Sequence, residues 1–308
     1  LPPKFSNPIN LSRFGSHFLP MRGFLDFNLS RIHHYLWRET MATFVFVHGA
    51  FQGGWVWRQV AGLLQEQGHK VHTPTYSGCG YLFAEDATTE NFKTLADEKT
   101  SGLKKGPGSV SPGFGPHPCP DLNTHIREMG RYLEFEDLED CILVGHSFSG
   151  MICGALMMRF PQRIRQVISV DAVIPTSNCS FVDLAGEQFA QMLKQHQIDD
   201  ALIRPWPVKV FGVEGSMTNW FESRLRPFPL GSFNTTFPGE FDPAVRPISH
   251  ITCLNTMSPF IRAMAGRARE LGWPVYELDS AHCPMITCPE ALTTLLLNIV
   301  RKTMDERK

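Results

Sequence analysis

The chain lacks several features that would settle its class at once. None of its eight cysteines stands in C-x-x-C spacing, so zinc-type ligand sets and dithiol redox pairs are missing. No apolar run approaches the ~20 residues of a membrane span, so no crossing helix is expected. Charge of either sign is not in excess: 29 Lys and Arg face 30 Asp and Glu, a net charge of −1. That balance offers no basic surface for nucleic acid and no acidic tail for a cationic partner. Internal repeats are absent, and no motif asks for a metal or a cofactor. The scattered cysteines read most simply as reduced thiols of a cytoplasmic protein.

What is present is apolar content, 43% of 308 residues, enough for a large core. The first forty residues differ from the rest. Between Leu1 and Arg38, Lys4, Arg13, Arg22, Arg31 and Arg38 stand against Asp26 alone, with no clean periodicity. They lack the compact apolar core and small-residue cleavage site of a secretory signal. Residues 1–40 are therefore read as a tail, an organellar leader or a cloning artefact, and 41–308 as the folded domain.

From Met41 strands and helices alternate. Thr43–Val47 is a β-rich run, and Trp55–Gln67 places Val56, Val60, Leu63 and Leu64 at helical spacing before Gly68. Strands are expected at 69–73, 141–144, 165–170, 248–253 and 274–278, and helices at 122–133, 149–160 and 290–300. Alternation of this kind predicts a mostly parallel sheet covered on both faces, with functional groups beyond the carboxyl ends of its strands. Two stretches break the rhythm. Residues 98–120 are dense in Gly, Pro and Ser, which predicts a surface loop insertion. Residues 176–246 hold Trp206, Trp220, Phe221, Phe228 and Phe233 close together, too aromatic for a disordered linker, and are read as a lid over the catalytic edge.

The most informative stretch is "DCILVGHSFSGMICGAL", Asp140–Leu156. An apolar strand runs into a tight turn bearing Ser147, and a helix of small residues follows. This is nearly G-x-S-x-G, with Ser149 in place of the last glycine. Ser147 reads as a nucleophile; an ordinary helix-capping serine is the plain alternative. Ser149 itself is a candidate cap for the helix it opens. A nucleophile of this kind needs donors for an oxyanion. The Phe148 amide, at a helix N-terminus, is one. The Ala50 amide, in "FVFVHGAFQGGWVW" after the first strand, is the other, with Gly49 giving the turn room.

Serine needs a base. Of twelve histidines, His282 in "ELDSAHCPM" lies between the last strand and the last helix. His33 and His34 fall in the tail, His69 and His72 flank a strand, and His146 is expected to point away from the turn. The acid is less determined. The loop after 248–253 reads "LNTMSP" and holds no carboxylate, though Asn255 could orient a ring without supplying charge. Asp171, at the end of "QVISVD", is favoured; Asp279 and Glu214 stay open.

With Gly49, Ser147 and His282 placed, the chain resembles the α/β-hydrolase superfamily. Within it the chain is similar to the bacterial esterase-like branch related to plant methylesterases and hydroxynitrile lyases. The matching stretches are "MATFVFVHGAFQGGWVWRQVAGLL", "DLNTHIREM", "LEDCILVGHSFSGM", "VISVDAVIP", "NWFESRLRPFPL" and "ELDSAHCPM". The resemblance implies an α/β-hydrolase fold, Ser147 as nucleophile, His282 as base, and the Ala50 and Phe148 amides as oxyanion donors. In hydroxynitrile lyases a threonine stands where this chain has Gly49, and a lysine follows the histidine where this chain has Cys283. Both positions imply an esterase.

The expectation is therefore hydrolysis of small apolar or aryl esters through an acyl-enzyme. The competing readings are a small-molecule-binding hydrolase fold without turnover, motivated by the empty acid loop, and a carbon–carbon lyase. Oligomeric state is left open, a homodimer included.

Overall fold

A computed structural model describes residues 41–83 and 119–305. The expected N-terminal tail and nearly all of the Gly/Pro-rich insertion lie outside the described residues. The chain divides at Met41/Ala42, and the fold below is that of Ala42 onward.

Six strands form one parallel sheet: β1 (Thr43–Val47), β2 (Lys70–His72), β3 (Cys141–His146), β4 (Ile164–Val170), β7 (Ile248–Cys253) and β8 (Val275–Leu278). Their order is β2-β1-β3-β4-β7-β8. β1 and β3 are apolar because both faces are covered, whereas β4 and β7 also bury polar side chains, Gln166 and Ser169, and Ser249, His250 and Thr252. β3 and β7 are buried at every residue, whereas the edge strands β2 and β8 are largely half-exposed. The chain leaves β1 for β2 on one side and returns to β3 on the other. The carboxyl ends of β1 and β3 thus flank a switch point, where open parallel sheets keep their binding crevices.

Several of the long helices fall where the sequence predicts them. α1 (Arg58–Glu66) buries Val60, Ala61 and Leu64. α2 (Leu122–Phe135) opens on Asp121, whose carboxylate accepts the Thr124 amide at 2.7 Å. α3 (Gly150–Arg159) is buried from Gly150 through Met157, as expected of a helix apolar all round. Between β4 and β7 lie four short helices, α4 (Phe181–Ala185), α6 (Val208–Phe211), α7 (Thr218–Glu222) and α8 (Leu230–Asn234). The same region holds the longer α5 (Glu187–His196) and a two-stranded antiparallel sheet of β5 (Leu202–Ile203) and β6 (Phe228–Pro229). α9 (Pro259–Glu270), α10 (Pro284–Thr287) and α11 (Pro289–Asp305) complete the described chain.

The turn after β3 corrects one expectation. Ser149 does not cap α3. It is fully buried, and its hydroxyl lies 2.8 Å from both the Val47 and the His146 carbonyl oxygens, tying the end of β1 to the end of β3. Close packing falls instead to Gly150: a Cβ there would stand 1.9 Å from the Val173 carbonyl oxygen. Because that neighbour is backbone, it cannot rotate away. Gly150→Ala is expected to destabilise the fold by roughly 1–3 kcal/mol or more, the cost of overpacking a core. A urea melt matching the parent would refute this.

Candidate active site

Ser147 follows β3 directly, in a one-turn 3-10 helix, with φ of 56°. A non-glycine residue in the left-handed region costs on the order of 1–3 kcal/mol and is retained where surrounding packing fixes it. Here the Val173 amide donates to the Ser147 carbonyl at 3.1 Å, and Ser149 latches the turn from below. The side chain is thereby raised over the sheet edge. Ser147 Oγ lies 2.9 Å from His282 Nε2, and His282 Nδ1 lies 2.7 Å from Asp171 Oδ2. Nδ1 must donate to the carboxylate, so Nε2 carries the lone pair and accepts the serine hydroxyl.

Asp171 is fully buried, and its backbone also adopts positive φ, 44°. Its amide donates to the Ile251 carbonyl at 2.7 Å. Its Oδ1 accepts the Cys253 amide at 3.0 Å, and the Thr256 hydroxyl donates to Oδ2. Burial alone would raise its pKa. The hydrogen bond and charge of His282, then the Thr256 and Cys253 donors, outweigh burial and hold it below the usual carboxylate value. The loop after β7, empty of carboxylates, thus supplies donors to an acid borne by β4. The other two candidate acids lie elsewhere: exposed Asp279 accepts from Asn255 Nδ2 at 2.9 Å, and Glu214 is exposed. Asn255, considered as a ring-orienting group, is occupied by Asp279.

His146 corrects a second expectation. It does not point away: its Nε2 lies 2.8 Å from the His282 carbonyl oxygen, and the two rings are 4.6 Å apart. Since a carbonyl can only accept, His146 is protonated on Nε2. Burial and the proximity of His282 lower its pKa to about 3, so it stays neutral. Gly49 gives this arrangement its room, because a Cβ there would come within 2.9 Å of His146 Nδ1 and 3.1 Å of Ser147 Cβ.

Ala50 and Phe148 border the same cavity as Ser147 and His282. Among the described residues the Ala50 amide meets no acceptor, and the Phe148 amide sits in the first turn of a helix, where donors lack intrahelical partners. The cavity holds about 670 Å³ of empty space, its mouth included. Phe181, Phe189, Trp206, Phe211 and Phe233, all from the region between β4 and β7, form much of its wall. Its polar groups are Gln52, Thr256, Ser258 and the site residues themselves; among the described residues no Lys, Arg, Asp or Glu lines it. Among the described residues no cluster of side chains suits a metal ion.

A model of the alpha/beta hydrolase family matches residues 44–294, most of the chain. The chain belongs to that family. This hydrolase is 30% identical over 206 residues to the carbendazim hydrolyzing esterase of Nocardioides sp. (strain SG-4G), a match covering 63% of this chain and 72% of that one. Salicylic acid-binding protein 2 of Nicotiana tabacum is 32% identical over 141 residues, 45% of this chain and 43% of its own length. Among solved structures, an extracellular alpha/beta-hydrolase from a Paenibacillus species superposes with a TM-score of 0.64 at 20% identity, covering 83% of this chain and 98% of that one. At that identity the likeness speaks for the α/β-hydrolase fold alone. No helix among the described residues is long and apolar enough to cross a membrane.

Three contributors to the site carried no usable sequence signal. Thr256 lies in a loop without a carboxylate, Gln52 is one polar residue in a turn, and His146 adjoins the serine on a turn from which its ring is expected to point away. Each becomes legible only once β1, β3 and β7 are laid side by side.

Proposed function

We propose that this hydrolase cleaves small neutral carboxylic esters, apolar or aryl in character, through an acyl-enzyme. Ser147 Oγ attacks the ester carbonyl while His282 Nε2 takes its proton. The carbonyl oxygen, now negative, is held by the Ala50 and Phe148 amides. His282 returns the proton to the departing alkoxide, and the C–O bond breaks. Water, deprotonated by the same imidazole, then releases the acid and regenerates Ser147. Asp171 keeps the ring in the tautomer that leaves Nε2 free and stabilises its cation.

The observation that carries this reading is the unbroken row from Ser147 Oγ through His282 to Asp171, opening on an aromatic cavity without a charged wall. Residues 176–246 act as the lid of that cavity, and their rings supply its apolar surface. A binder without turnover rests on a missing acid, and the hydrogen bond between His282 and Asp171 speaks against it. Carbon–carbon lysis finds no hydroxyl at Gly49, while the side chain after His282, Cys283, is neutral and engaged by Gln52.

Folded protein is expected to hydrolyse short p-nitrophenyl esters and to gain the mass of one phosphonyl group from a fluorophosphonate, mapped to the peptide holding Ser147. Ser147→Ala should abolish both. Carbendazim, named for one relative, belongs in the substrate panel. Ester cleavage that survives Ser147→Ala would overturn the proposal.

A further inference from the structure

The loop after β1 is held by hydrogen bonds at His48, Phe51 and Gly54. The Tyr76 hydroxyl donates to the His48 carbonyl at 3.0 Å, the Arg226 amide to the Phe51 carbonyl at 3.1 Å, and the Gly54 amide to Thr75 Oγ1 at 2.8 Å. Phe51 is held at φ 68° while its ring packs against Trp206 and Phe228, at centroid distances of 4.9 and 5.5 Å. Gln52 makes a side-chain hydrogen bond that joins this loop to the loop of the base. Its Nε2 donates to Cys283 Sγ at 3.3 Å, a hydrogen bond across 231 positions of chain. Gln52 lies two residues after Ala50, and Cys283 directly follows His282.

The bond is costly to keep. Gln52 and Cys283 are both fully buried, and Gln52 Oε1 has no partner among the described residues. An unsatisfied buried acceptor costs about 1–3 kcal/mol. Burial raises the Cys283 thiol well above its usual pKa, so the acceptor is a neutral thiol and the bond is weak. An apolar side chain of the same length would fill this space with less penalty. A polar residue kept at a position where an apolar one packs better points to function rather than stability.

We infer that Gln52 is a positioning residue: through Cys283 it fixes the distance between the Ala50 oxyanion donor and the His282 base. The inference rests on the acyl-enzyme reading above. Gln52 borders the cavity beside Ser147 and His282 but, among the described residues, its one side-chain hydrogen bond goes to Cys283, so it acts through the two loops it joins. Losing the tie lets them drift, which weakens the transition state more than the ground state, because only the former needs both groups in register.

The test is a double-mutant cycle on the full chain with Gln52→Met, Cys283→Ala and both together, reading kcat, KM, phosphonylation rate and Tm. Gln52→Met should lower kcat and the phosphonylation rate roughly ten-fold, within the 10²-fold that a 1 Å misplacement costs, with KM moving less than kcat. Its Tm should hold or rise. The double variant should be no slower than the worse single one. Unchanged kcat in Gln52→Met, single effects that multiply, or a fall in Tm that accounts for the loss would each overturn the inference. If the parent itself failed to react with phosphonate at Ser147, the acyl-enzyme reading would fall first, and the two failures are thereby distinct.

Discussion

Asp171→Asn is expected to lower kcat by about 10³–10⁴-fold while Asp279→Asn leaves it unchanged. The reason is a count of donors. Asp171 accepts from three groups at once: the Cys253 amide, the Thr256 hydroxyl and His282 Nδ1. An asparagine offers one oxygen and one NH2 in the same plane. If its oxygen turns toward Thr256 and His282, the NH2 meets the Cys253 N–H, donor against donor. If its oxygen takes the Cys253 amide, the NH2 faces Nδ1. The ring is then driven to the tautomer protonated on Nε2, which cannot accept a proton from Ser147. Wrong-tautomer losses of this kind reach about 10⁴-fold in serine proteases. Either orientation also leaves a buried donor unsatisfied, at about 1–3 kcal/mol. Asp279 is exposed and bonded to Asn255, so its replacement should move stability by no more than about 0.5 kcal/mol. Steady-state kinetics on a p-nitrophenyl ester, with melts of each variant, decide the matter; equal losses in the two variants would remove Asp171 from the role.

The contrast shows where sequence stops being readable. β1 and β3 were legible because their apolar runs end in glycine and histidine and because strands buried on both faces carry a continuous apolar signal, whereas β7 interleaves Ser249, His250 and Thr252 with its apolar residues. Ser147 and His282 could be picked out because each lies just past a strand at the sheet's carboxyl edge. The acid could not be fixed in the same way. Asp171 and Asp279 both end strands, and what separates them is burial and the direction of neighbouring donors, which belong to pairing across the sheet. Ser149 was misread for a related reason: a serine at a helix start looks like a cap, and only the approach of β1 to β3 turns its hydroxyl to Val47. α9 gave no clear signal beside the aromatic region that precedes it, although Ser258 caps it and Pro259 opens it.

Stability should fall steeply as pH drops from about 6.5 toward 4, a fall that begins above the range in which carboxylates titrate. His48, His125, His146 and His250 are each fully buried. Burial is the leading cause that lowers their pKa values, to about 4, 3, 3 and 4. Neighbouring charge modifies this: His48 further lowers His125, His282 lowers His146, and Asp171 works the other way on His146 and His250. In the unfolded chain these imidazoles would protonate near 6.5. Between the two values the unfolded state binds more protons than the folded one, so folding stability decreases with falling pH. The full contribution is present above pH 6.5. Each histidine removes up to roughly 1.4 kcal/mol per pH unit through the window, and the set together is comparable to the 5–15 kcal/mol of an ordinary domain. None can gain its charge in place, since His48 Nε2, His125 Nδ1, His146 Nδ1 and His250 Nε2 all lack a partner for a second proton among the described residues. Asp171, whose pKa is lowered, loses its contribution only below the ordinary carboxylate range and so does not mask the effect. Urea melts at half-unit steps from pH 8 to 4 should show the slope, and His250→Gln, which keeps a polar group opposite Ser169 without a titrating ring, should reduce it by about one proton. A midpoint that stays flat from pH 7 to 4.5 would mean that these rings are solvated, and that the core around the switch point is looser than its packing indicates.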